Sequence, residues 1–398
     1  MEYSDPMNPP ADNLEQTEKA SWKQPKYLVA MTLLLLVFGG LFFYMVTLKP
    51  ILQEMEQGVL TQTGARLVVL TKSIDPVMFS DYQFTTVTES AAMVLSQYDG
   101  NLQLTSLKNL SKEVATALIR HQGQLNLSGV TELSQEVAQE LSQHDGSLTL
   151  DGLKELSEEV AKALSQQDEM LYLDGLTHLP DAVAAALGQR QHYLSLEGLK
   201  SLSPSAARAL AQQQGPLRLN GLTSLSDETA EALGSHQGDL YLNGLTRLSE
   251  SAAKSLIQNK GALAFYSLKQ MSDEAAVWVG QHQGNLHLGL TTLTGAAANS
   301  LSQSTGRWLY LSFLKDLPDD AAKALSQYQG SLMLPSLTRI SDEAAVAFSG
   351  QPGHLFLSDV TTLSDRGAAA LRDHNDLYIS LQDLPASAAE ILRQAGHK

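Results

Sequence analysis

The chain contains no cysteine. This excludes a disulfide framework, a thiolate nucleophile and any thiolate metal site. For a protein outside the cytoplasm, it fits a bacterial envelope better than an animal cell surface, where small ectodomains are often disulfide-rich. Positive charge is also scarce: 27 Lys and Arg stand against 43 Asp and Glu, for a net charge of −16. Phosphate backbones are held by basic stripes, so nucleic-acid binding is excluded. Aromatic residues make up only 6% of the chain, so any place where they gather is informative. Long apolar runs are missing, with one exception.

That exception is Tyr27 to Leu48, 22 residues without a charge. At 1.5 Å per residue, a helix of this length reaches roughly 33 Å, enough to cross a bilayer core. The alternative is a cleaved signal peptide. Its apolar part would be shorter and followed by small residues, whereas Phe42-Phe43-Tyr44-Met45 follows Gly39-Gly40 here. Lys19, Lys23 and Lys26 precede the run, and only Lys49 follows before Arg66. The excess of positive charge places the N-terminus in the cytoplasm and the rest on the far side. The expected layout is a disordered cytoplasmic tail (1–26), a membrane helix (27–48), a juxtamembrane segment with an N-terminal cap (49–78) and a repeat domain (79–398). Within the cap region, Gln53 to Thr63 is expected to continue as helix and Arg66 to Leu70 to form a strand. The expected location is a bacterial inner membrane, with the repeats facing the periplasm.

The repeats dominate the chain. Leu-x-Leu pairs begin at Leu102, Leu125 and Leu148 and recur every 23 residues to Leu355; a last pair, at Leu377, arrives one residue early. A fixed period of this length signals a solenoid, whose units bury their apolar faces by stacking. In the unit Leu240 to Ala262, Leu240-Tyr241-Leu242 alternates as a half-buried strand does. Asn243-Gly244 is a turn, and Leu245 and Leu248 follow. Ser249 stands at a helix N-cap with Glu250 in the first turn, as do Ser157, Ser226 and Ser341 with the acids after them. Ala252, Ala253 and Leu256 recur at helical spacing, and Gly261 is expected to end the helix in the left-handed conformation. Strand, turn, short helix and glycine, repeated about 13 times, predict an α/β solenoid with a parallel sheet on the order of 60 Å along its arc. A purely helical solenoid is the alternative, disfavoured by the short alternating segment. Phe84, Val87, Ala91, Ala92 and Leu95 match Leu107, Leu110, Val114, Ala115 and Leu118, which marks one degenerate repeat before the clear ones.

The pattern Leu240-x-Leu242-x-x-Leu245-x-x-Leu248-Ser-Glu-x-Ala252-x-x-x-Leu256 resembles a leucine-rich repeat, closest to the cysteine-containing subtype. The resemblance covers about three quarters of the chain. It implies a sheet on the concave face and protein recognition as the usual role. Two departures stand out. The family's Asn or Cys after the strand is apolar here (Leu107, Val130, Leu153, Leu176), and the apolar residue before the pair is polar, as at Gln237. The family's ladder of side-chain-to-backbone bonds is therefore in question.

No catalytic constellation, metal site or cofactor motif emerges. The serines and acids lie in the helix-cap column, and the Asn-Gly and Asp-Gly pairs are turns. His121, His144, His236, His282 and His374 share a column near the helix ends. It is interrupted by Gln167, Arg190, Gln213, Asn259, Thr305, Tyr328 and Gln351. Structural metal sites take four ligands in tight geometry, so a structural role at the helix C-terminus is favoured over a metal ladder.

The residue between the paired leucines must point out of the sheet. That column runs from Gln103 through Tyr172, Ser195, Arg218, Tyr241, Ala264, His287, Tyr310, Met333 and Phe356 to Tyr378. The position before the pair adds Met170, Tyr193, Trp308 and His354; the position after it adds Asp151, Asp174, Glu197 and Tyr266. Tyr and Trp are amphipathic anchors, so the candidate ligand face is Tyr172, Tyr193, Tyr241, Tyr266, His287, Trp308, Tyr310, Phe356 and Tyr378 with Asp151, Asp174 and Glu197. The expectation is a membrane-anchored, non-enzymatic module that binds a protein or peptide outside the cytoplasm. The alternative is an envelope scaffold that self-associates through the C-terminal repeat, whose strand edge carries no separate polar cap.

Overall fold

The computed structural model describes residues 58–71 and 84–397, with only the backbone of 67–71. The expected tail and the membrane helix at 27–48 lie outside these residues. Among the described residues, no helix is long and apolar enough to cross a membrane.

Each Leu-x-Leu pair forms a short strand, from Leu102–Gln103 to Leu377–Ile379, and the strands lie in sequence order in one parallel 13-stranded sheet. The register pairs equivalent residues, Leu263 with Leu286 and Ala264 with His287. A turn closed by the Leu245 N–H on the Leu242 carbonyl leads to a helix, here Glu250–Leu256. The α/β solenoid is therefore the observed architecture, and the all-helical alternative is excluded. Leu240, Leu242 and Leu245 from the strand side meet Ala252, Ala253 and Leu256 from the helix, all buried. Each buried leucine contributes about 1.5–3 kcal/mol, so apolar stacking drives assembly. It is non-directional, however, and polar ladders set how one repeat seats on the next.

The first ladder occupies the histidine column. His144 Nε2 lies 2.9 Å from the Gly123 carbonyl, Gln167 donates to Gly146 O (2.7 Å), His282 Nε2 lies 2.9 Å from Gly261 O, and Tyr328 donates to Gly306 O (2.6 Å). Arg190, only 1% exposed, donates to the carbonyls of Leu164 and Glu169 and to Gln167. Each side chain thus satisfies a carbonyl of the preceding repeat that stacking has removed from water. The ladder doubted from the apolar Leu107 position exists, moved from the end of the strand to the end of the helix. One member differs from the sequence reading. In the unit from Leu286 the helix begins one residue early, at Gly295, so buried Ser304, not Thr305, fills the column and bonds His282 O (2.9 Å).

Gly261, beside this column, does not act as expected. Gly261 has no positive φ, and its helix ends in an ordinary right-handed cap at Ile257. A Cβ on Gly261 would instead lie 2.4 Å from the Gly238 carbonyl, and one on Gly146 only 2.1 Å from Gly123 O. These positions are glycine because consecutive turns touch backbone to backbone.

The helix starts carry a second ladder. Ser249 accepts the Ala252 N–H (3.0 Å) as the expected cap, and its hydroxyl also donates to Asp227 of the previous helix (3.2 Å). Ser203 with Asp181, Thr294 with Asp273 and Ser341 with Asp319 repeat the link. The acid therefore joins neighbouring helices in addition to facing a helix terminus.

Near the N-terminus, Val59–Leu60 pairs in parallel with Thr86–Val87, outside the main sheet and just before the next helix. Gln62–Thr71 is helix, so the strand expected at Arg66–Leu70 is absent, and the helix expected through Thr63 is interrupted by the Val59–Leu60 strand. The apolar run Leu67-Val68-Val69-Leu70 was ambiguous between strand and helix. Thr61 standing at a cap position, its hydroxyl 3.5 Å from the Gly64 N–H, accompanies the helical outcome.

Three predictions follow for the purified full-length chain in mild detergent. Gln167→Leu leaves the Gly146 carbonyl unpaired and should cost about 1–3 kcal/mol in denaturant unfolding; a cost equal to that of exposed Gln166→Leu would contradict the ladder. Gly146→Ala should cost about 1–3 kcal/mol by forcing turns apart. Burial pushes His236, His282 and His374 below the ordinary 6.5. The unfolded chain therefore takes up protons first as pH falls, so this stability is complete above about 6.5 and is lost below it. The thermal midpoint should drop between about pH 7 and 5. A flat profile would refute it.

Candidate functional site

Because the paired leucines face the core, every second side chain of each strand emerges on the opposite, exposed face of the sheet. Strand register aligns Tyr241, Ala264, His287, Tyr310, Met333, Phe356 and Tyr378 in one row. Neighbouring strands lie roughly 4.8 Å apart, close to the spacing of stacked rings. His287 stacks on Tyr310 at 4.1 Å and 11°, and Phe356 on Tyr378 at 4.2 Å and 7°.

Rings from flanking positions join these stacks into one patch. Trp308 lies 5.9 Å from Tyr310, 6.0 Å from His354 and 5.9 Å from Phe356. Tyr266 lies 6.1 Å from His287, with its hydroxyl 3.3 Å from His287 Nδ1, and 6.3 Å from Phe313. Burial among these rings pushes the His287 imidazole below its ordinary value. Lys269 lies over Phe313 at 4.0 Å and Arg307 over Trp308 at 5.9 Å, so cations border the patch. Of the expected residues, the structure brings together Tyr266, His287, Trp308, Tyr310, Phe356 and Tyr378.

The remaining aromatics form a separate group. Tyr172 and Tyr193 are 5.3 Å apart, and the Arg218 guanidinium lies 5.8 Å from Tyr193 and 5.2 Å from Tyr241. Burial pushes the Tyr193 hydroxyl up to about 12. Between the two groups the row carries Ala264, a small side chain that its neighbours cover, 1% exposed.

Asp151, Asp174 and Glu197 do not form a free acidic surface. Asp151 accepts the Asp174 N–H (3.0 Å), and Asp174 accepts the Glu197 N–H (2.8 Å) and the Ser195 hydroxyl (2.6 Å). Glu197 accepts Arg218 (3.1 Å) and Asn220 (2.7 Å), and Asn220 takes the Asn243 N–H (3.0 Å). This third ladder ties the strand ends together. Burial is the largest influence on Asp151 and pushes its carboxyl up; the Asp174 N–H opposes it, and the charges of Asp174 and Glu197 add to it.

Phe313, His354 and Arg218 belong to the face but were absent from the expected set. His354 and Arg218 occupy the outward columns that the Leu-x-Leu pairs define. Phe313, 41% exposed, comes from the turn after the strand, where simple alternation no longer applies. An apolar residue replacing the turn glycine of earlier repeats, such as Gly244, was the available signal. Among the described residues, no group of three His, Asp or Glu side chains is placed to hold a metal ion.

No family model matches the chain, and no curated protein matches it. Solved structures do. An internalin from Listeria monocytogenes is 16% identical over 81% of this chain and 92% of its own, with a TM-score of 0.45. A chain of the Drosophila Toll–Spatzle complex is 14% identical over 70% of this chain and 42% of its own, at 0.44. A leucine-rich-repeat protein from Leptospira interrogans is 19% identical over 74% of this chain and 93% of its own, at 0.31.

Proposed function

We propose that this chain is a membrane-anchored, non-enzymatic module of the leucine-rich-repeat kind, which holds a protein or peptide on the exposed face of its sheet outside the cytoplasm. The continuous aromatic patch from Tyr266 to Tyr378 carries the reading. Aromatic side chains bring large contact areas with little conformational freedom to lose, and they dominate protein–protein hot spots. Ring edges and hydroxyls, with bordering Lys269 and Arg307, suit a partner with apolar side chains and acceptor groups. The charge-free run at 27–48 and the lysines before it support the anchor and its orientation.

Affinity capture from a bacterial envelope extract tests the face. The full-length chain in detergent should retain a partner that a Trp308→Ser, Tyr310→Ser double variant loses, with unchanged circular dichroism. Retention of the same set by both would remove the face from the reading. For the anchor, the chain should stay with membranes through an alkaline carbonate wash, and protease added outside intact spheroplasts should digest the repeats. Release by the wash would refute the membrane span.

A further inference from the structure

We infer that the partner of the aromatic face is an acidic peptide segment carrying aromatic side chains, its carboxylates drawn to Lys269 and Arg307; this rests on the ligand-face reading above. The ring stacks decide the chemistry. His287 and Tyr310 lie nearly parallel at 4.1 Å, and Phe356 and Tyr378 at 4.2 Å, each pair on adjacent strands. Trp308 and His354 repeat the arrangement in the flanking row, at 6.0 Å and 11°. Rings stacked along a row turn their faces to neighbours in the sheet and their edges to solvent. An aromatic ring is negative on its face and positive at its edge. A surface of edges therefore attracts carboxylates, and incoming rings that dock face to edge. It offers no flat face to the weakly positive C–H groups of a sugar, which sets a glycan aside.

Charge points the same way. Lys269 borders the patch over Phe313, at the strand ends, and Arg307 borders it over Trp308, at the strand starts. Both cations are exposed, and among the described residues neither has an ion pair. Lys269 donates to the Tyr266 carbonyl (3.0 Å), which leaves its charge uncompensated. Arg218, in the neighbouring aromatic group, instead spends its charge on Glu197 at 3.1 Å. The rim carboxylates are already engaged: Asp239 accepts the Ala262 N–H (2.7 Å), and Asp376 lies 3.5 Å from His354. Asp273, Asp319 and Asp342 are held at the helix starts by Thr294, Ser341 and Ser364. With a net charge of −16 the chain repels an acidic ligand over most of its surface. Free cations beside ring edges make this face the exception.

The test uses the full-length chain in non-ionic detergent, with random poly(Glu,Tyr), poly-Glu of equal length and cellohexaose as probes. Poly(Glu,Tyr) should bind about tenfold or more tighter than poly-Glu, and less tightly as salt rises from about 0.05 to 0.5 M. A Lys269→Glu, Arg307→Glu variant with unchanged circular dichroism should bind it about tenfold or more weakly. A Lys108→Glu, Lys154→Glu variant, equal in net charge but changed in distant repeats, should bind as the parent chain does. Equal loss in both variants overturns the proposal, as does equal binding of the two polymers, since either would reduce the effect to total charge. No binding of poly(Glu,Tyr) at roughly 100 μM also overturns it, and cellohexaose binding in its place would make the ligand a glycan. The envelope capture separates this failure from failure of the face itself. A captured partner lost with Trp308→Ser, Tyr310→Ser but kept with Lys269→Glu, Arg307→Glu preserves the ligand face and removes the acidic partner.

Discussion

Stacking repeats at strand spacing buries the carbonyl that ends each helix connection, and every interface must supply that carbonyl with a donor. An unpaired buried carbonyl costs about 1–3 kcal/mol, comparable to the gain from one buried leucine. The solenoid meets the demand with a side chain from the following repeat. His144, Gln167, Arg190 and Tyr328 differ in charge and shape, but each places a donor on the carbonyl below it. The column thus conserves a function while its residue type drifts. Arg190 shows how far this tolerance goes: with no carboxylate in contact, burial pushes its guanidinium down to about 10 while carbonyls hold it.

The other features depend on this one. Donors reach across only when consecutive turns touch, which leaves no room for a Cβ on Gly146 or Gly261. The Ser–Asp links at the helix starts and the acid–amide links at the strand ends hold the other corners of each unit at the same spacing. With three corners secured, the outward column from His287 to Tyr378 is left free of these ladder bonds, although Ser195 and Arg218 in the same column take part in them. That freedom is what allows rings to gather from Tyr266 to Tyr378.

Much of this was legible in the leucine spacing. Period, strand position, helix caps at Ser157, Ser226, Ser249 and Ser341, and the exposed row all follow from residue types at fixed offsets. What escaped depended on contacts between repeats. Gly261 read as a helix terminator because a single unit shows no neighbour's carbonyl. Asp151, Asp174 and Glu197 read as a binding surface because the donors they accept from, the Asp174 and Glu197 N–H groups and the Arg218 and Asn220 side chains, come from the next repeat. The histidine column was read as structural, but its identity as the missing ladder needed the third dimension. Arg66–Leu70 failed for a different reason: a short apolar run carries no period of its own, and Gln62–Thr71 formed helix.

The ladders also have a consequence for how such a chain changes over generations. Many interfaces are closed by bonds of the same kind between residues about one period apart, whatever the particular donor. A cut that removes one whole unit therefore brings together two surfaces that already fit. A cut of most other lengths misaligns carbonyl, cap and carboxylate, although the 22-residue step from Leu355 to Leu377 is absorbed within the sheet. The span of the exposed face can thus lengthen or shorten by unit copy number, and selection can tune the reach of the surface without redesigning its interior.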